Sequence, residues 1–219
     1  MRLKYNIEIP MVKHGTDKLF VRLEKFAERF QKISDAGHAV SMPDNPMGNL
    51  SFQGHELIKE LKLIPKNDQV MIHLNTFHSL KDIHDILDSC GKLNVRNLLI
   101  ISGDGSTRLP KLQPGDIGSA GEAVTSVELL AYIRKIHGDF FRLGVAYSQY
   151  EPAAHEDEKL RRKLDAGAEF IITQPVLEPS ARLDNLVDSV KVPVILEAWM
   201  SPKVSLLSDC VGYEIDSSI

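Results

Sequence analysis

Arg161–Gln174, RRKLDAGAEFIITQ, holds the junction on which the fold turns. A charged, helix-forming run closes on Gly167, a residue suited to ending a helix in the left-handed region. Phe170–Thr173 (FIIT) then reads as a buried strand. Working outward, His155–Ala166 is the helix before the junction, Pro179–Val190 the helix after it, and Val192–Leu196 the next strand. The same switch recurs upstream. Strands are predicted over Lys4–Ile9, His38–Met42, Val70–Asn75, Leu98–Ser102 and Leu143–Tyr147. Helices are predicted over Asp17–Ile33, capped by Thr16 and ended by Gly37, over Phe52–Leu61, over Leu80–Cys90 ended by Gly91, and over Val124–His137. Val211–Ile215 reads as an eighth strand.

Strands alternating with helices, with no linker or low-complexity break, predict a parallel α/β sheet. Eight such units predict a (β/α)8 TIM barrel forming a single domain over residues 1–219. An open doubly wound sheet competes less well, because the first turn, IEIPMVKHGTD, has no GxGxxG. On this reading the C-terminal helix is truncated or missing. The uncovered side then calls for a homo-oligomer or a partner subunit.

Composition narrows the function classes. The 219 residues are 43% hydrophobic and 26% charged, with 26 basic and 30 acidic side chains and a net charge of -4. That balance offers no electrostatic case for nucleic acid or an anionic membrane. Cys90 and Cys210 are too few for a disulfide framework or a four-cysteine zinc site, and the eight histidines show no HExxH spacing, so no metal is expected. The N-terminal MRLKYNIEIP has no apolar signal core, and no later run reaches the length of a membrane span. The expected location is cytoplasmic.

In a barrel of this kind chemistry lies at the C-terminal ends of the strands. The polar residues there are Glu8; Ser41, Asp44 and Asn45; His73, Asn75 and Thr76; Ser102, Gly103 and Asp104; Tyr147 and Gln149; Thr173 and Gln174; and Glu197. A carboxyl among apolar strands costs free energy unless it is paired or used, and one whose pKa is raised by burial can donate a proton near neutrality. Each residue also has a plainer reading. Glu8 could face solvent or pair with Lys4, Asp104 in SGDGS could be a turn residue, and His73 could be a satisfied core histidine. Gln174 could cap a strand end, and Lys159–Lys163 (KLRRK) could be a solvated helix face rather than a phosphate site.

The ordered set NIEIP, VSMPDNPMG, HLNT, NLLIISGDG, GVAYSQYEP and RRKLDAGAEFIITQ, running from about Ile7 to about Pro202, resembles the methylenetetrahydrofolate reductase family. The resemblance implies a barrel holding FAD at its strand ends. There, NAD(P)H or a protein donor reduces the flavin, and hydride passes to 5,10-methylenetetrahydrofolate, giving the 5-methyl product of one-carbon metabolism and methionine biosynthesis. It implies Glu8 as the acid that opens the folate ring, Asp104 as a catalytic and binding carboxylate near flavin and pterin, and Gln174 as a folate ligand. Ser41, His73, Ser102, Gly103, Asp104, Tyr147 and Lys163 fall on flavin-contact positions, Lys163 facing phosphate.

Two departures stand out. Ser102 replaces the family's arginine before GD, and SQYEP places Glu151 where the family has histidine. The stretch from Tyr147 to Lys163 is also shorter than the family spacing. An acid near a pyrophosphate is repelled by it. The departures therefore leave three cofactor outcomes open: FAD, FMN, or none. They also leave open a flavin-independent enzyme or a non-catalytic folate-binding accessory subunit.

Overall fold

The computed structural model of the protein describes residues 5–66 and 68–216. Its contacts fall into two compact units, Met1–Arg142 and Leu143–Ile219.

In the first unit, β1 (Asn6–Glu8), β2 (Ala39–Met42), β3 (Val70–Leu74) and β4 (Asn97–Ile100) lie side by side in chain order. The pairs β1–β2, β2–β3 and β3–β4 are parallel. Helices α1 (Leu19–Asp35), α2 (Gly54–Glu60), α3 (Leu80–Lys92) and α4 (Ser126–His137) alternate with them. Every residue of β2, β3 and β4 is buried, as expected for parallel strands covered on both faces. Phe26 and Phe30 of α1, Leu57 and Ile58 of α2, and Ile83, Ile86 and Leu87 of α3 are buried in the core, at the spacings that define an amphipathic face.

Two helix ends differ from expectation. The residue before α1 is Lys18, left-handed at φ 62, while the Thr16 hydroxyl turns to the Asp17 carbonyl instead of capping. Gly91 lies inside α3, which runs on to Lys92; the left-handed residue that ends it is Asn94, at φ 55. Asparagine tolerates that region through its short polar side chain, so the glycine was not needed there. Gly37 does end α1, at φ 76 with its N–H on the Ser34 carbonyl.

In the second unit, β5 (Arg142–Tyr147), β6 (Phe170–Pro175) and β7 (Val194–Glu197) are parallel in chain order. They alternate with α5 (Ala153–Asp165), α6 (Ala181–Ser189) and α7 (Val204–Val211). Gly144 in β5 leaves room for the Phe170 ring, which a Cβ there would meet at 2.0 Å. The expected eighth strand over Val211–Ile215 is not formed among the described residues. Val211 is instead the last residue of α7, with Leu207 and Val211 buried one turn apart and Gly212 left-handed at φ 80 behind them. The sequence VSLLSDCV carries helical spacing that a short β-rich reading of its tail overlooks. The result is an α/β fold of (β/α)8 barrel type, represented among the described residues by seven strand–helix units.

Candidate active site at the strand ends

The parallel register of the first unit sets several expected residues side by side. Glu8 closes β1, and its Cα pairs with that of Ser41 on β2. Ser41 in turn meets β3, with its Oγ 2.7 Å from His73 Nε2. The His73 ring is buried, and desolvation pushes its pKa down to about 4, so it is neutral at physiological pH. A neutral imidazole makes this single bond as donor or acceptor according to its tautomer.

Glu8 is the unusual member. Burial pushes its carboxyl up to about 7, and no hydrogen bond or ion pair to it is found among the described residues. Its surface is nonetheless open to solvent. The two observations agree if water reaches the carboxyl while protein crowds most of its surroundings. The upward direction then follows from the crowding, and access to water moderates its size. The alternative partner Lys4 lies outside the described residues.

The loop after β4 is built to present Asp104. Thr76 Oγ1 and the Thr76 N–H both donate to the Ser102 carbonyl, at 2.8 and 3.4 Å. Gly103 sits at φ +78, and a Cβ there would meet the Asn75 side chain at 2.6 Å, so only glycine passes. One Asp104 oxygen accepts the Met47 N–H at 2.8 Å, and the residue is otherwise exposed. Met47 and Asn45, both left-handed at φ 56 and 44, are held there partly because Asn45 Oδ1 accepts the Ser51 N–H at 2.9 Å. Ser102 is exposed.

Beneath this loop lies a buried pair that sequence reasoning did not assemble. Asp44 Oδ2 accepts the Asn75 N–H and meets His78 Nε2, each at 2.8 Å, and Asn75 Nδ2 donates to the Asp44 carbonyl at 3.0 Å. The group ties the β2 loop to the β3 loop. Asp44 and Asn75 were visible as polar strand-end residues, but nothing near His78 in the sequence marks a partner 34 positions away. A depression of about 290 Å³ opens beside His78, lined also by His55, Phe77 and Arg108, and of the residues singled out from sequence it is Asn45 that lines it.

In the second unit, β6 becomes irregular between Ile172 and Pro175, which re-aims the chain at Gln174. The Gln174 side chain makes no hydrogen bond among the described residues, and its carbonyl accepts Gln149 Nε2 at 2.9 Å. Tyr147 and Lys163 are arranged differently. The Tyr147 hydroxyl donates to Asp157 Oδ1 at 3.0 Å and accepts from Arg182 Nε at 2.8 Å. Lys163 Nζ donates to the Ala146 carbonyl at 2.6 Å and stands 3.5 Å from Glu156. Burial pulls the Lys163 pKa below its ordinary value, and Glu156 opposes the shift. Burial likewise works against ionisation of Glu156. The Lys159 and Lys163 ammoniums and the Ser148 N–H outweigh it, holding that carboxyl below its usual range.

An FAD would need exposed donors for its phosphates and for the flavin ring. Ser41, His73, Tyr147 and Lys163 are 3%, 7%, 2% and 5% exposed, and each has a polar side-chain atom engaged by protein. Glu151 is exposed, with its acidic side chain in the same segment. These residues do not fit a dinucleotide held in the way the resemblance implies. Gly103, Ser102 and Asp104 stay open.

Parallel strands alternating with helices, with polar residues at the strand ends, define the class as a barrel-type α/β protein. The family model described as methylenetetrahydrofolate reductase matches residues 7–201, and the chain belongs to that family. Methylenetetrahydrofolate reductase 2 of Schizosaccharomyces pombe is 32% identical over 133 residues, covering 53% of this chain and 20% of that protein. A probable methylenetetrahydrofolate reductase (NADH) of Oryza sativa subsp. japonica is 24% identical over 180 residues, 75% of this chain and 28% of that one. The chain thus spans less than a third of the length of these curated relatives. Among solved structures, an uncharacterized protein from Clostridium thermocellum that binds two copies of 5-methyl-5,6,7,8-tetrahydrofolic acid matches with a TM-score of 0.62 and 15% identity. That match covers 97% of this chain and 72% of that one, and it carries the fold. No helix among the described residues is long and apolar enough to cross a membrane.

Proposed function

We propose that this chain binds a reduced folate at its strand ends and reduces 5,10-methylenetetrahydrofolate to 5-methyltetrahydrofolate. The observation that carries the reading is Glu8, a carboxyl with no partner among the described residues, pushed up to about 7 at the end of β1. At neutral pH a large fraction of it holds a proton. Passing that proton to the bridging nitrogen lets the carbon–nitrogen bond of the five-membered ring break, leaving a cationic iminium on the other nitrogen. Asp104, exposed and anchored through the Met47 N–H, supplies a negative charge that favours this cation over the neutral ring. A hydride then adds to the iminium carbon. The two electrons come from NAD(P)H or an electron-donating protein. Gln174, with its amide unengaged among the described residues, is the folate ligand in this reading.

The match from residue 7 to 201 crosses both units and supports taking the chain as one family domain. Exposed apolar side chains at Leu196, Met200 and Tyr213 support a homo-oligomer or partner subunit. The expected cytoplasmic location belongs to the same proposal. A second reading, a folate-binding accessory subunit without turnover, is favoured by the Clostridium neighbour, which is described by the folate it binds.

The deciding experiment is Glu8→Gln. Substrate binding should persist while 5-methyl product formation falls steeply. Undiminished turnover removes Glu8 from the reaction, and folate binding without turnover under any donor selects the accessory reading.

A further inference from the structure

The segment after β5 is closed by contacts centred on one residue that no sequence motif marks. Arg182, in the first turn of α6, donates Nε to the Tyr147 hydroxyl at 2.8 Å, and Nη1 to the Gln149 and Glu151 carbonyls at 2.8 and 2.5 Å. Its guanidinium also lies 5.3 Å from the centre of the Tyr147 ring. Gln149 continues the chain of contacts, donating Nε2 to the Gln174 and Pro175 carbonyls at 2.9 and 3.1 Å, and Tyr150 adds a hydroxyl bond to Pro175 at 2.6 Å. From the other side, Ser148 N–H donates to Glu156 at 3.2 Å, and Glu156 pairs with Lys159 at 2.8 Å.

The arrangement uses up the groups that would otherwise meet an anionic ligand. A pyrophosphate is bound by cations and N–H groups that point outward and lack partners of their own. Here the Lys163 ammonium points inward to a carbonyl, Arg182 Nε and Nη1 are spent on a phenol and two main-chain carbonyls, and Nη2 is buried 3.7 Å from the Asp157 carboxylate. For a dinucleotide to use either cation it would have to break these bonds and leave buried acceptors unpaired. The loop nevertheless remains useful to a folate site, because the same bonds fix the main chain at Gln174.

We propose that the Tyr147–Glu151 segment is a self-closed lock, keyed by Arg182, standing where a dinucleotide grip would be, so that the protein binds its folate with no resident flavin. The inference rests on the folate reading above and goes beyond it.

The test uses the full chain purified from cells without added cofactor. One arm records its visible spectrum and any flavin released on denaturation, then titrates FAD and FMN separately, following quenching of flavin fluorescence. The other arm titrates 5-methyltetrahydrofolate by calorimetry. The expected result is no co-purified flavin, no saturation by either flavin below about 100 μM, and saturable folate binding. Flavin that co-purifies in stoichiometric amount, or saturates below about 100 μM, overturns the lock while leaving the folate reading intact. Protein that takes up neither flavin nor folate overturns the folate reading, and with it the claim that the lock serves a folate site.

Discussion

At the strand ends of the first unit Glu8 stands without a partner among the described residues and Asp104 keeps one oxygen open, whereas in the second unit Tyr147 and Lys163 are each closed by two protein groups. The residues are all polar, with Glu8 and Tyr147 each closing a strand. They differ in how their polar atoms are satisfied. A buried polar atom with its bonds made is part of the scaffold, and displacing it costs stability. One left unmade and reachable by water is available to a substrate, and its cost to folding is a mark of use. By that measure the proposed chemistry belongs to the first unit, while the bonded segment of the second unit leads to Gln174, whose side chain makes no hydrogen bond among the described residues.

The contrast is broken most directly at Glu8. If the carboxyl is the proton donor, Glu8→Gln lowers kcat by about 10²–10⁴-fold, equivalent to roughly 3–5 kcal/mol of transition-state stabilisation, with folate affinity little changed. Steady-state kinetics on 5,10-methylenetetrahydrofolate, with folate binding measured separately, gives both numbers. A loss in affinity with kcat retained would make Glu8 a binding residue and bring it closer to the residues of the second unit.

Next in size comes the key of the lock. Arg182→Ala removes the three bonds of its fork and leaves the Gln149 and Glu151 carbonyls without that donor. A loss of about 2–3 kcal/mol in urea unfolding is expected. Arg182→Lys should recover less than half of it, because an ammonium cannot reproduce a planar fork. A full recovery would mean that charge alone, not geometry, holds the segment.

Much of this was legible in the sequence. The strands FIIT and LLIIS, and the helices with regular apolar spacing, fall where periodicity places them, because burial on both faces demands apolar residues at those positions. Glu8, Asp104 and Gln174 were identifiable as polar residues at strand ends, and the resemblance carried by the ordered motifs implied the roles proposed for them. Illegible were the pairings across the fold. Nothing local predicts that Ser41 and His73 spend their polar atoms on each other, or that Asp44 meets His78. Arg182 lies 35 positions from Tyr147 and has no motif around it. Sequence gives residue types at fold positions, while availability depends on side-chain partners brought in by tertiary packing. For the same reason Val211 could be read as a strand, when the core it joins favours the last turn of a helix.

Gly103→Ala probes the support of the open side. The substitution forces a Cβ into the Asn75 side chain and asks alanine to adopt φ +78. A destabilisation of about 1–3 kcal/mol is expected, measured by thermal or urea unfolding. Asn75 holds Asp44 and the Gly103 turn presents Asp104, so folate turnover should fall along with stability. The same change at Gly15, where φ is +65 but no atom lies within 4 Å, should cost less, since only the backbone term remains.

The smallest effect expected is on the pH dependence of stability, and it separates the two readings of Glu8. Its folded pKa of about 7 lies above the ordinary 4.5, so the folded state holds the proton more tightly than the unfolded chain does. The resulting stabilisation is fully present below about pH 4.5 and is lost as the pH rises through about 7. Glu8→Gln, which cannot ionise, should therefore match the parent protein at the acid end and become the more stable of the two above neutrality. Solvent contact at Glu8 keeps the difference small. Melting temperatures of both proteins across this range, in one buffer series at constant salt, would show the curves diverging upward with pH. A carboxylate paired with a lysine would have its pKa lowered instead, and the parent protein would gain on the variant as pH rose. The sign of the divergence therefore decides between a proton donor and a salt-bridge partner without any assay of turnover.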